Sequence, residues 1–222
     1  MIYKNFDKNE ISIDKKEVLR YAYSTGAEED FSSILDDCIK EAKEALEPKL
    51  ILKRVPIKVL SDAVHFPDFC VSSKSLAKNM CFCEEAFIFA ITLGFKTERL
   101  ISKNRLDMGR LVFINAALTA FTESLLNDFF SELKGKLSEE NKFIRPRFSP
   151  GYGDFNLEHQ KDIFSSLNLT KTLGMALTEN LFMLPSKSVT GVSGISSKNE
   201  NCLSEGCEIC KKRDTCSFSR IK

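Results

Sequence analysis

The chain has 222 residues, 43% of them hydrophobic, which suffices for one large domain or for a domain with a small appendage; 18 Phe supply core material in the absence of Trp. Its 32 basic residues nearly balance 31 acidic ones, and a net charge of +1 excludes the overall basic footprint of a nucleic-acid binder. The N-terminal MIYKNFDKNE has no basic region followed by an apolar one, and the longest apolar run, Leu111 to Phe121, is 11 residues against the roughly 20 of a membrane span. A cytoplasmic protein without nucleic-acid or membrane partners is expected, its eight cysteines staying reduced or binding metal.

Asp14 and Glu17 have the spacing of a capping box, and Val18, Leu19 and Ala22 follow at helical intervals, so a helix starts here and stops near Gly26. A second amphipathic helix is predicted over 28–46. There Phe31, Ile34, Leu35, Cys38, Ile39, Ala42 and Leu46 keep a 3.6-residue period, with Cys38 on the core stripe and Pro48 ending it. Residues 50–60 are β-prone, and Pro56 within them predicts an edge strand or two short strands. Ser72 to Asn79 reads as a polar stretch. Ala86 to Leu93 reads as a continuous apolar strand stopped by Gly94.

Asp107 to Leu133 is the strongest helix, with Leu111, Ile114, Leu118, Phe121, Leu125 and Phe129 on one face. Arg145 to Asp154 holds two Pro and two Gly and forms a shaped loop. A helix over 157–167 and a β-region over 176–195 complete the body. Helices and strands do not alternate regularly, which predicts the α+β class: a mixed or antiparallel twisted sheet with flanking helices over 1–195, followed by a Cys-rich tail over 196–222.

In that tail Cys202, Cys207, Cys210 and Cys216 form C-x4-C-x2-C-x5-C, close enough in sequence to converge on one zinc ion or one iron–sulfur cluster at little loop-closure cost. The first three follow the spacing of plant-type ferredoxins. Zinc there would be structural; an iron–sulfur cluster would carry an electron. Lys211, Lys212 and Arg213 are read as a solvated loop. Cys81 and Cys83 fall on one face by strand alternation and, with Cys70, would make a second thiol site, packing being the simpler reading. Nothing orients His65 and Asp68 beside Cys70 into a catalytic set.

The segment Arg147-Phe148-Ser149-Pro150-Gly151-Tyr152 carries the most information. Pro150 fixes its own φ and pushes Ser149 into extended geometry, while Gly151 permits a turn or a close approach. Arg147 and Tyr152 then flank a rigid bend with a guanidinium fork and an aromatic hydroxyl, a combination that suits a small ligand bearing a carboxylate and a ring. The plainer alternative is a structural turn whose arginine pairs with a nearby glutamate.

This loop resembles the R-x-x-P-G-Y loop of the activation (reactivation) domain of vitamin B12-dependent methionine synthase. Downstream, Glu158-His159 is similar to an acidic-His pair of that family. Leu177-Thr178-Glu179, Met183 and Pro185 resemble its L-T-E-S-x-x-M-x-P stretch, and Ser188-Val189-Thr190-Gly191 its S-V-S-G. The likeness is close over 145–191, weaker around Ala120, Phe121 and Glu123, and does not extend over residues 1–80. After the tyrosine the chain reads Gly153-Asp154-Phe155 where the family has P-A-C-P, and the family's late-strand tyrosine falls near Asn201. The resemblance implies a stand-alone activation subunit that binds S-adenosylmethionine and supports reductive methylation of cob(II)alamin on a partner, a methionine synthase lacking this domain, with an electron-transfer protein as a further partner. It implies Arg147 for the ligand carboxylate, Ser149 for backbone contacts and Tyr152 for the pocket wall facing the corrin, with Pro150 and Gly151 of the same loop also counted at the cofactor-binding site. Two other readings remain open: a corrinoid-associated redox protein working through the tail, and a zinc-stabilised adaptor.

Overall fold

The computed structural model describes residues 1–24 and 31–199. In chain order the elements are β1 (Ile2–Asn5), α1 (Lys15–Tyr21), α2 (Ser32–Glu44), β2 (Lys49–Pro56), β3 (Lys58–Val59), β4 (Ala63–His65), β5 (Cys70–Ser72), α3 (Lys74–Asn79) and β6 (Cys83–Thr92). There follow α4 (Phe95–Lys103), α5 (Met108–Glu139), β7 (Phe143–Ile144), α6 (Gln160–Leu167), α7 (Leu169–Thr172), β8 (Ala176–Leu177), β9 (Met183–Leu184) and β10 (Ser188–Ser196). One five-stranded antiparallel sheet, ordered β1-β2-β6-β10-β7, forms the frame, with β3-β4-β5 and β8-β9 as small satellite sheets.

Both faces of the frame are covered. Phe87, Phe89 and Ile91 of β6 face a core built from α1, α2 and α5, while Ala86, Ile88 and Ala90 face a second core closed by α3, α6 and α7. This explains why β6 reads as an unbroken apolar run: a central strand buried on two sides has no polar face to alternate with. The α5 helix starts where Asp107 accepts the Arg110 N–H and runs for 32 residues, six beyond the predicted end, its long apolar face lying across the sheet.

Asp14 caps α1 as expected, accepting the Lys16 N–H. Cys38 is fully buried on the α2 stripe. Pro56 divides the β-prone stretch into β2 and β3, the second of the two alternatives, because it ends the ladder with β6. Strand β1 and helices α3 and α4 were not expected. The last two are short and carry few apolar residues, so their period is hard to see; Ser73 caps α3 by accepting the Leu76 N–H, and Gly94, at φ +87°, turns the chain from β6 into α4.

The Cys83 thiol lies 3.8 Å from the Cys81 carbonyl, but the cysteines of the body do not gather into one site. Phe82 at φ +62° breaks the alternation between Cys81 and Cys83, so Cys83 is buried on β6 while Cys81 is half-buried in the turn before it. Cys70 is exposed on β5, its Sγ 3.6 Å from Nε2 of His65 across the strand pair. Asp68 is engaged by Lys53 and Ser166. Among the described residues no group of three or more His, Cys, Asp or Glu is placed to hold a metal ion, so the second thiol site from Cys70, Cys81 and Cys83 is not formed. Cys202, Cys207, Cys210 and Cys216 lie outside the described residues.

Candidate functional site

Strand β10 is paired along its whole length with β6, but on its other side only Ile195 and Ser196 meet β7. The chain beyond β7 stays against this edge: Arg145 N–H donates to the Gly194 carbonyl at 2.7 Å, and Phe148 and Val192 exchange two hydrogen bonds of 2.8 Å. That close approach depends on Gly191, where a Cβ would lie 2.9 Å from Ser149 Oγ and 3.0 Å from the Phe148 carbonyl. Past Pro150 the loop bends at Gly151, φ +97°, whose N–H donates to the Phe155 carbonyl at 2.7 Å. The far end is held by Asp154, which accepts from the Ser73 hydroxyl and the Lys74 and Ser75 amides, so its carboxyl titrates well below the usual range.

The loop, β10, α5 and the start of α6 enclose a cavity of about 490 Å³, within the range of small-molecule sites. Arg147, Ser149, Pro150 and Tyr152 line it, as do Phe89, Glu123, Gln160, Met183, Ser188 and Thr190. One prong of the Arg147 fork is occupied: Nη2 donates to Asn127 Oδ1 at 2.7 Å and lies 3.5 Å from Glu123 Oε2, while the guanidinium sits 5.4 Å from the centre of the Phe130 ring. The expected glutamate pairing therefore exists, but it engages only one of the two terminal nitrogens. The other prong, Nη1, is buried without a hydrogen-bond partner, and so are Gln160 Oε1 and Thr190 Oγ1. Three unpartnered buried polar atoms border one cavity. Buried polar groups are normally satisfied, and these three define where an occupant with both charged and neutral polar groups would be held.

Of the five loop residues expected at the ligand, Arg147, Ser149, Pro150, Gly151 and Tyr152, only Gly151 does not line the cavity; it shapes the bend. Tyr152 stands at the mouth, 68% exposed. Glu158 is exposed, and His159, whose Nδ1 lies 2.7 Å from Asp162 Oδ2, does not line the cavity. The polar residue that enters the cavity here is the next one, Gln160, and no sequence pattern marked it. Phe89 was hidden in the apolar run of β6. Met183 comes from the β8–β9 hairpin, closed by the Thr178 hydroxyl accepting the Phe182 N–H. Ser188 is fixed by donating to the Pro185 carbonyl at 2.7 Å and lying 2.8 Å from the Thr92 hydroxyl.

The fold is a helix-covered antiparallel sheet with a cavity beside β10. Residues 129–202 match the family described as vitamin B12 dependent methionine synthase, activation domain. Among solved structures the chain is similar to a MetH reactivation domain bound to AdoHcy, with a TM-score of 0.66 and 15% identity over 91% of this chain and 80% of that chain. None of the curated proteins matches the sequence. The likeness to an activation domain of B12-dependent methionine synthase and the α+β architecture are both borne out. At that identity the structural likeness speaks for the fold, and AdoHcy is the ligand of the other protein. No helix among the described residues is long and apolar enough to cross a membrane.

Proposed function

We propose that this chain is an activation component of cobalamin-dependent methionine synthase and that its 490 Å³ cavity takes S-adenosylmethionine. The reading rests on one observation: Arg147 Nη1, Gln160 Oε1 and Thr190 Oγ1 are buried, unpartnered and gathered around that cavity. AdoHcy in the similar MetH reactivation domain supplies the chemical class of the ligand. Arg147 holds the ligand carboxylate with its free prong, while Asn127 and Glu123 keep the fork in place. The Phe148–Val192 pair and Pro150 fix the wall of the site in advance, so little ordering accompanies binding. Tyr152, at the mouth, faces the corrin of the partner. The ligand supplies the methyl group for reductive methylation of the partner's cobalamin; the protein contributes position and charge.

The partner is a methionine synthase whose own activation domain is missing. In this reading the corrinoid is held by the partner's cobalamin module. The tail cysteines hold a metal centre. An iron–sulfur cluster there would pass the electron that reductive methylation requires, received from an electron-transfer protein; zinc would only brace the tail.

The test has two stages. S-adenosylmethionine and S-adenosylhomocysteine are titrated by calorimetry into wild type and Arg147→Met; the loss of a charge-assisted bond of about 1.5–3 kcal/mol weakens binding roughly ten- to a hundred-fold. The protein is then added, with S-adenosylmethionine and a low-potential reductant, to a synthase that has been allowed to inactivate. Methylcobalamin is expected to reappear faster than in a control without the protein. Equal rates would remove the reactivation role.

A further inference from the structure

The cavity's unpartnered groups are of two chemical kinds, and they come from two sides of the sheet. Arg147 is charged and is held by α5, on one face. Gln160 begins α6, whose Ile163, Phe164 and Leu167 pack into the core on the other face, and Thr190 shares that face of β10 with Val192. Gln160 is 6% exposed and Thr190 is 2% exposed, yet Oε1 of the one and Oγ1 of the other lack a partner. Leaving a buried polar atom unsatisfied is unfavourable, because it has given up its bonds to water without replacing them. Two such atoms beside one cavity mark a place where an occupant supplies the missing bonds.

The backbone adds to this. Phe148 and Val192 form a hydrogen-bonded pair, and the two-residue period of the strand turns the main-chain N–H and C=O of Thr190 to the same side as those of Val192. The next partner in that register would be Pro150, which has no N–H, and the loop bends away at Gly151. Among the described residues no strand pairs with residues 188–191 on this side. Thr190 therefore offers an N–H donor, a C=O acceptor and a hydroxyl at the open strand edge, with the Gln160 amide lining the same cavity. None of these groups is charged. Together they suit a flat edge carrying both donors and acceptors, and Phe148, Pro150 and Met183 supply apolar surface for a ring beside it.

We propose that Gln160 and the strand edge at Thr190 form an uncharged clamp for the nucleoside part of an adenosyl ligand, separate from the Arg147 anchor for its amino-acid part. The proposal rests on the reading of the cavity as an adenosyl site. A ligand bound this way lies across the edge of β10, with its carboxylate toward α5 and its nucleoside toward α6.

The experiment is a binding cycle with S-adenosylhomocysteine on wild type, Gln160→Met/Thr190→Val, Arg147→Met and the triple variant, and with 5′-methylthioadenosine, which lacks the amino-acid part, on the same four proteins. Gln160→Glu and Thr190→Ser are carried as near-isosteric companions, and near-ultraviolet circular dichroism confirms that each variant is folded. The Gln160/Thr190 variant is expected to lose about ten-fold or more toward both ligands, whereas Arg147→Met loses affinity only for S-adenosylhomocysteine. The two losses should multiply in the triple variant, as for sites with no shared partner. If the Gln160/Thr190 variant and Gln160→Glu bind S-adenosylhomocysteine as wild type does, the clamp is wrong while the adenosyl site stands. If wild type binds neither compound at millimolar concentration, the adenosyl site itself falls, and the clamp with it.

Discussion

The Asp154 carboxylate accepts a hydrogen bond from the Ser73 hydroxyl at 2.5 Å, and through this contact the cavity loop is tied to the first turn of α3, 81 residues earlier in the chain. The same carboxylate accepts the Lys74 and Ser75 amides, and Ser73 in turn accepts the Leu76 amide. One acidic residue thus closes the loop and completes a helix cap. Gly153 makes the contact possible, because at φ +56° a Cβ there would lie 2.9 Å from Ser75 Oγ. The pair Gly153-Asp154, which departs from the family's P-A-C-P, is a fastening of a different kind.

Asp154→Ala is accordingly expected to speed hydrogen exchange at Lys74 and Ser75 and to weaken adenosyl-ligand binding, although the carboxylate touches no part of the cavity. Its hydrogen bonds hold its pKa below the ordinary 3.8. A depressed carboxyl stabilises the fold above its unfolded pKa and stops doing so only as pH falls through the folded one. The exchange protection at Lys74 and Ser75 should therefore persist below pH 3.8 in wild type. Loss of that protection at pH 5 would contradict the assignment.

Gly191 bears on the same wall from the strand side. A methyl group there would sit 2.8 Å from Phe89 Cζ and 2.9 Å from Ser149 Oγ. Gly191→Ala must push either the Phe89 ring into the core or the loop off β10. Overpacking of this kind destabilises by about 1–3 kcal/mol. Thermal unfolding should show that loss, and the affinity for S-adenosylhomocysteine should fall with it, since Phe89 and the loop both line the cavity and either movement reshapes it. An unchanged melting temperature together with unchanged affinity would mean that the loop is not seated on Gly191.

How far the sequence revealed this arrangement depends on what each residue's signal was. Arg147, Pro150 and Gly151 announce themselves, because a proline and a glycine side by side restrict the backbone whatever surrounds them. The α5 helix was visible because its apolar period is long. Gln160 and Phe89 gave no signal: one is a lone polar residue at a helix start, the other one of several apolar residues in a buried strand, and only the packing of α6 and β6 brings both to the cavity. The pairing of Cys81 with Cys83 failed for a local reason, since alternation requires an extended residue between them and Phe82 is left-handed.

Glu85 reports on the frame rather than on the site. It receives Arg54 through two bonds of 2.9 and 2.8 Å and also Lys142, while Arg54 reaches Glu140 at the end of α5. These contacts, the Arg54 bonds first, hold its carboxyl down to about 2. The folded pKa lies below the ordinary glutamate value of 4.5, so the stabilisation is complete above 4.5 and is lost as pH falls from there to about 2. Because the group is partly exposed, screening limits its contribution to about 1 kcal/mol. Glu85→Gln should lower stability by about that amount at neutral pH and flatten the fall in stability between pH 4.5 and 2. Parallel acid-unfolding curves for wild type and variant would exclude the network as a source of stability.

The tail makes a prediction that does not depend on the cavity. Cys202, Cys207, Cys210 and Cys216 fall within 15 residues, so their thiolates can reach one tetrahedral centre without ordering a long loop. Protein purified anaerobically should hold one zinc ion or one iron–sulfur cluster per chain, and Cys207→Ser/Cys210→Ser should hold none. Iron with acid-labile sulfide and a visible chromophore would favour an electron carrier, and the variant would then lose reductive reactivation while keeping its affinity for S-adenosylhomocysteine. A colourless protein with zinc would leave reactivation to an external reductant, and removing the zinc should then change thermal stability but not the rate of remethylation. Wild type and double variant holding equally little of either metal would mean that the four cysteines do not form a metal site.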